Sequence, residues 1–226
     1  MIIFFDLDDT LVDSESAHRE AITEMIRQYY LTGTDLPGTL LKDWFSITQK
    51  YLQLYFERKM TLEEQRISRI REFFRNRNHP LNVPEAEQAY NLYHQVYLRE
   101  CRRFEDAIPC LEKLCSFHLG IISNGTRSDQ LFKLKNNRLD PFFGKVIVSD
   151  FILPAKPDPG IFLAAAEAAG VTPAECLYIG NSYETDYLGS IGAGMRSILL
   201  DRHNSILVSG IKKINSLSEL SGHLLL

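Results

Sequence analysis

Short apolar runs alternate with helical patterns at the start of the chain and through its second half. Each run is about four residues long and rich in branched or aromatic side chains, as in strands buried on both faces of a parallel sheet. We predict strands at residues 2–5, 119–122, 146–148, 177–179 and 197–200. Helices are predicted at residues 106–117, 127–135, 158–169 and 184–192. This alternation is typical of an α/β fold with a Rossmann-like parallel sheet.

The segment between these two parts has helical spacing and no convincing strand. Ala17, Ala21 and Met25 recur at intervals of three or four residues, and similar patterns occur near residues 62–74 and 86–96. Thr61 and Glu64 form the sequence pattern of a capping box. We therefore predict an α/β catalytic core of residues 1–13 and 104–226, with an α-helical cap domain inserted at residues 14–103.

Composition narrows the class of protein. The chain has 226 residues, of which 45% are hydrophobic and 24% charged, as in an ordinary soluble globular protein. A net charge of −4 argues against nucleic acid or an anionic membrane as a partner. The four cysteines lack metal-ligand spacing, which indicates free thiols in a reducing compartment. We expect a cytoplasmic monomer or weak dimer without a signal peptide, because Asp6 interrupts the apolar start.

Polar residues follow several of the predicted strands. Ligands of open parallel sheets bind beyond the carboxyl ends of the strands, so these residues are candidates for one common site. In chain order they are Asp6 and Asp8, Ser123 and Asn124, Lys156, and then Asn181 and Asp186.

This set of side chains suits phosphoryl transfer. A carboxylate such as Asp6 is able to attack phosphorus, and a second carboxyl, Asp8, is able to protonate the leaving alcohol and later deprotonate water. A phosphate dianion repels carboxylates, and Lys156 together with Mg²⁺ would offset that repulsion. Ser123 would orient phosphoryl oxygens.

The segments DLDDT, SNG, KPDP and GNSYETD resemble, in order, the motifs of the haloacid dehalogenase (HAD) superfamily. They begin at Asp6, Ser123, Lys156 and Gly180, and the helical insert resembles the cap of the phosphatase branch. The resemblance covers essentially the whole chain. It implies a Mg²⁺-dependent phosphatase that hydrolyses a small phosphate ester, of nucleotide or sugar phosphate type, through an aspartyl-phosphate.

The same resemblance implies roles for individual residues. Asp6 is the nucleophile, Asp8 is the general acid and base, and Ser123, Asn124 and Lys156 bind the phosphoryl group. Asp6, the main-chain carbonyl of Asp8 and an acid of the last motif hold Mg²⁺. The sequence departs from the family here, because Asn181 stands where an acid usually follows the glycine, while Asp186 matches the later acid. Both residues are therefore candidate metal ligands, and Asn181 is expected to weaken Mg²⁺ binding.

Alternative functions stay open at this point. A dehalogenase would use the same nucleophile, and Asn181 would suit a metal-free site, but Asp8 argues against that branch. A HAD protein that binds phosphorylated ligands with weakened catalysis is a second alternative. A phosphoacceptor of the receiver type also combines acids, a hydroxyl and a lysine, but receivers are about half this length and have no helical insert.

Overall fold

The structure, a computed structural model, describes residues 1–29, 37–150 and 154–223. The chain divides into two compact units, an α/β unit of Met1–Asp13 with Arg102–Leu226 and a helical unit of Ser14–Cys101. The predicted insert extends two residues beyond the helical unit. The reason is that Arg102 and Arg103 pair antiparallel with Val12 and Asp13 and so belong to the α/β unit.

The strands lie in the α/β unit. In chain order they are β1 (Ile2–Phe5), β2 (Val12–Asp13), β3 (Arg102–Arg103), β4 (His118–Ser123), β5 (Lys145–Val148), β6 (Cys176–Gly180), β7 (Arg196–Leu200) and β8 (Lys213–Ile214). Every predicted strand is confirmed within a residue or so. The two-residue strands β2, β3 and β8 were not predicted, because such short strands leave no periodic pattern in a sequence.

The main sheet is parallel, and its strand order is β5-β4-β1-β6-β7-β8. Strand β1 lies between β4 and β6, with Phe5 beside Ile121 on one side and Ile179 on the other. The chain thus returns first to one side of β1 and later to the other. That reversal creates a crevice at the carboxyl end of β1, where ligands of doubly wound sheets bind.

Helices make up most of the remaining structure. They are α1 (Ser14–Gln28), α2 (Pro37–Phe56), α3 (Leu62–Arg75) and α4 (Val83–Glu100) in the helical unit, and α5 (Ala107–Lys113), α6 (Arg127–Asn136), α7 (Pro159–Ala169), α8 (Gly189–Gly192) and α9 (Leu220–His223) in the α/β unit. The helix predicted at residues 184–192 is a π-helical segment, Tyr183–Leu188, followed by α8. The helix predicted at residues 106–117 is observed as the shorter α5, which ends at Lys113.

One part of the core of the α/β unit lies between α7 and the sheet. Ile161, Phe162 and Ala165 of α7 are fully buried against Phe4 and Tyr178. The rings of Phe162 and Tyr178 meet edge to face with 5.2 Å between their centroids. The apolar face of α7 therefore fixes the ring of Tyr178, and with it the position of the phenolic oxygen.

The helical unit has its own aromatic core. Trp44 is fully buried, and its indole Nε1 donates a hydrogen bond to Tyr93 Oη at 3.0 Å. The capping box at the start of α3 is confirmed, because Thr61 and Glu64 each accept a hydrogen bond from the other's backbone N–H. No helix in the described ranges is long and apolar enough to cross a membrane.

Candidate active site

Three neighbouring strands bring the predicted residues to one edge of the sheet. Asp6 directly follows β1, Ser123 is the last residue of β4, and Asn181 directly follows β6. The Asp6 N–H donates to Ile179 O at 2.8 Å, which extends the pairing of β1 with β6 by one residue. The parallel topology thus places the carboxylate of Asp6 on the strand between those that end in the Ser123 hydroxyl and the Asn181 amide.

Lys156 lies at the centre of a buried charged cluster. Its Nζ is 2.6 Å from Asp6 Oδ1, 2.7 Å from Asp186 Oδ1 and 3.0 Å from Tyr178 Oη. The side chains of Lys156, Asp6 and Asp186 are all less than a tenth exposed. All three donors of the ammonium group are therefore used, as a buried lysine requires.

Burial and charge shift the pKa values in this cluster. Burial raises the pKa of Asp6 well above its usual range; Lys156 opposes that rise, while Asp186 and Asp8 add to it. Burial disfavours the Lys156 ammonium, but the carboxylates of Asp186 and Asp6 outweigh it and raise the pKa of Lys156. Because burial is the main cause of the raised pKa of Asp6, a cation bound next to it would favour its ionised form.

Asn124 anchors the backbone of Lys156. The Asn124 amide donates from Nδ2 to Lys156 O at 3.1 Å and accepts from Lys156 N at Oδ1, at 2.8 Å. The loop after β4 and the loop that carries Lys156 are thereby joined. Asn124, which the sequence suggested as a phosphate ligand, uses both ends of its side-chain amide to position Lys156.

Asp8 belongs to a second group of contacts. Its Oδ1 is 2.7 Å from Lys133 Nζ, and its Oδ2 accepts from Gln130 Nε2 at 2.9 Å. Gln130 Nε2 also lies 3.1 Å from Ser123 Oγ and 2.7 Å from Asn124 O. Gln130 and Lys133 were not among the predicted site residues. Polar side chains on a helix usually face solvent, and the neighbouring apolar residues Leu131 and Phe132 would indicate that a different face of the helix is buried.

Thr10 contacts both the Asp6 oxygen that is not bonded to Lys156 and the side-chain oxygen of Asn181. Thr10 Oγ1 is 3.4 Å from Asp6 Oδ2 and 3.3 Å from Asn181 Oδ1. One hydroxyl hydrogen satisfies only one of these oxygens at a time, so the other retains acceptor capacity. Carboxylate and amide oxygens are ligands that suit Mg²⁺, and this pair therefore fits a hard divalent cation.

Asp186 makes a different set of contacts. Its Oδ1 accepts from Lys156 Nζ and from Tyr178 Oη at 2.9 Å, and its Oδ2 accepts from Ser182 N at 3.0 Å. Asp186 is 1% exposed. Both of its oxygens are thus engaged with protein donors.

Two glycines permit these close approaches. A Cβ on Gly180 would overlap the Asp186 carboxyl group. Gly125 has a φ of +119°, a backbone conformation that favours glycine, and a Cβ there would lie 3.0 Å from Gln130 Nε2. The glycines of the second and fourth motifs therefore leave room for the side chains that hold Lys156 and Asp8.

Contacts made by Thr10, Lys156, Asn124 and Gln130 link all the residues predicted for the site. Thr10 joins Asp6 to Asn181, Lys156 joins Asp6 to Asp186, and Gln130 joins Asp8 to Ser123. The model of the haloacid dehalogenase-like hydrolases matches residues 1–194. The chain belongs to that family.

Curated relatives of this HAD protein are phosphatases. This chain is 32% identical to the glyceraldehyde 3-phosphate phosphatase of Pyrococcus abyssi over 208 residues, which cover 87% of this chain and 79% of the relative. It is 26% identical to the human N-acylneuraminate-9-phosphatase, with 91% of this chain and 84% of the relative covered.

A solved structure agrees with the fold. The putative HAD-hydrolase YfnB of Bacillus subtilis superposes with a TM-score of 0.81 at 23% identity, covering 100% of this chain and 98% of that one. At this identity the likeness supports the fold alone.

Proposed function

We propose that this protein is a Mg²⁺-dependent phosphatase that hydrolyses a small phosphorylated metabolite, of sugar phosphate or nucleotide type, through an aspartyl-phosphate on Asp6. The observation that carries the proposal is the contact of Lys156 Nζ with both Asp6 and Asp186 in a buried cluster at the carboxyl edge of the sheet. The named activities of the two curated relatives support the choice of a phosphate ester as substrate.

Asp6 is the proposed nucleophile. Its buried carboxylate attacks phosphorus, a new O–P bond forms, and the bond between phosphorus and the leaving oxygen breaks. Lys156 lies against Asp6 Oδ1 and so neutralises charge where the anionic phosphoryl group would approach. Ser123, at the end of the adjacent strand, is the proposed donor to a phosphoryl oxygen.

Asp8 is the proposed proton carrier. Its side chain is 27% exposed, whereas that of Asp6 is 8% exposed, so Asp8 is the carboxyl with access to a leaving group and to water. It donates a proton to the departing alcohol and then removes one from the water that attacks the phosphorus of the aspartyl-phosphate. The two steps restore both carboxyl groups to their starting states.

Asp6 Oδ2, Asn181 Oδ1 and the main-chain carbonyl of Asp8 are the proposed Mg²⁺ ligands. When bound, Mg²⁺ supplies positive charge that offsets the repulsion between the carboxylates and a phosphate dianion. An amide contributes no charge, so Asn181 is expected to hold the ion more weakly than an acid would. Asp186 is proposed to hold Lys156 and is left out of the proposed metal ligands, because both of its oxygens already accept hydrogen bonds.

Hydrolysis of p-nitrophenyl phosphate tests this function. The wild-type chain is expected to release p-nitrophenol with Mg²⁺ and to stop in EDTA, and Asp6→Asn is expected to be inactive with Mg²⁺. The amide of Asp6→Asn has the same size as the carboxyl group that it replaces. If the variant and the wild type have the same thermal unfolding curve, the loss of activity is due to the missing nucleophile and not to unfolding. Halide release from a 2-haloacid in EDTA, with no phosphatase activity, would instead support a dehalogenase.

A further inference from the structure

Helix α6 turns a polar face toward the interior of the α/β unit. Gln130, Lys133 and Asn137, spaced as neighbours on one side of a helix, are only 2%, 2% and 3% exposed. Leu131 and Phe132 on the same helix are 41% and 47% exposed. Leu134 is the buried apolar residue of α6, so polar side chains make up most of its buried face. A buried lysine is costly unless its charge is compensated.

The compensation for Lys133 comes from Asp8. The ammonium of Lys133 contacts Asp8 Oδ1 at 2.7 Å, and the Gln130 amide donates to Asp8 Oδ2 at 2.9 Å. Each carboxylate oxygen is therefore held by a different donor, which fixes both the place and the plane of the carboxyl group.

The donors themselves are anchored to structure on both sides. Gln130 Nε2 also donates to Asn124 O at 2.7 Å, which ties it to the loop after β4. At the other end of α6, Asn137 accepts from Arg103 N of β3 at 2.7 Å and donates to Lys133 O at 2.9 Å. The helix is thus linked to the loop after β4 and to β3. Strand β3 pairs with β2, which lies a few residues after Asp8 in the chain.

We propose that Lys133 and Gln130 are positioning residues for Asp8, holding its carboxyl group at the oxygen of the leaving alcohol. The inference rests on the proposed phosphatase function and adds residues outside the family motifs. Positioning matters for this step because a displacement of about 1 Å can reduce a rate about 100-fold. Lys133 and Gln130 act through Asp8 and need not touch the substrate.

The dependence of the rate on the leaving group tests this role. p-Nitrophenolate leaves without a proton, whereas an alkoxide must be protonated, so only an alkyl phosphate needs Asp8 in the first chemical step. kcat/KM reports the steps up to that departure and should be measured for p-nitrophenyl phosphate and for an alkyl phosphate that the wild-type chain hydrolyses. Lys133→Met is expected to lose about 10 to 100 times more kcat/KM on the alkyl substrate than on the aryl substrate.

Four further variants complete the design. Asp8→Asn sets the reference pattern, and the double variant with Lys133→Met should be no slower than Asp8→Asn alone. Gln130→Met removes the other donor and should also lose more kcat/KM on the alkyl substrate than on the aryl substrate. It replaces Lys133→Met in the test if that variant does not fold. Lys135→Met, an exposed lysine of the same helix, should behave as wild type.

Equal losses on both substrates, or additive losses in the double variant, would overturn the inference, because a general structural role slows both substrates alike. The phosphatase proposal has its own readout. Wild-type turnover of p-nitrophenyl phosphate and its loss in Asp6→Asn do not depend on Lys133, so failure of one proposal is distinguishable from failure of the other.

Discussion

Lys156 Nζ lies 2.7 Å from Asp186 Oδ1, and both side chains are less than 5% exposed. The two residues are 30 positions apart, on the loop before α7 and on the π-helical segment after β6. Tyr178 Oη completes the arrangement, since it contacts both partners from within β6. This pair fixes the ammonium group that contacts the proposed nucleophile.

Asp186→Asn tests what the later acid of the fourth motif does. The variant removes one of the two negative charges that hold Lys156, so kcat should fall about 100- to 1,000-fold. The Mg²⁺ concentration for half-maximal activity should change little, because Asp186 faces Lys156. The double variant with Lys156→Met should be no slower than Lys156→Met alone. A large rise in the Mg²⁺ requirement would instead identify Asp186 as a metal ligand.

Asn181→Asp tests the metal side of the site. An acid beside Asp6 adds a charged oxygen ligand, so half-maximal activity should require about tenfold less Mg²⁺. Titration of activity with Mg²⁺ measures this directly. Asn91→Asp, on an exposed position of α4, is the control for the added charge. An unchanged Mg²⁺ requirement in Asn181→Asp would remove Asn181 from the ligand set.

Gly180→Ala tests the close approach of β6 to Asp186. The added Cβ would overlap the Asp186 carboxyl group, so the free energy of unfolding should fall by about 1–3 kcal/mol and activity should fall with it. Gly192→Ala is the matched control, because a Cβ on Gly192 meets no atom within 4 Å. Urea denaturation compares the two variants. Equal stabilities would show that the strand end accommodates the methyl group.

Asp201 gives a prediction for stability against pH. Burial would raise its pKa, but hydrogen bonds from the backbone of Ile206 and Ser205, and from Lys213, lower the pKa to about 2. The usual value in an unfolded chain is about 3.9, so this stabilisation is present above pH ~4 and is lost as the pH falls toward ~2. Asp201→Asn should be less stable than wild type at pH 7, and the difference should shrink between pH ~4 and ~2. A constant difference over that range would contradict the assignment.

Much of the fold and the motif residues could be predicted because the signals are local. Apolar runs such as residues 2–5 identify buried strands, and parallel pairing then brings Asp6 and Ser123 to the same edge of the sheet. Tyr178 was not foreseen, because an aromatic residue in an apolar strand predicts core packing and says nothing of its hydroxyl. Lys133 was not foreseen either, because a lysine in a helix is usually exposed and its burial here depends on the partner supplied by Asp8.

The central claim is that Asp6 carries the phosphoryl group, and reductive trapping tests it most directly. Borohydride converts an aspartyl-phosphate to homoserine, so wild-type protein quenched during turnover with Mg²⁺ should yield an amino-terminal peptide modified at Asp6. Asp8→Asn should increase the trapped fraction, because it slows attack by water on the intermediate. Phosphate release without modification of Asp6, or with modification at Asp8 or Asp9, would contradict the account.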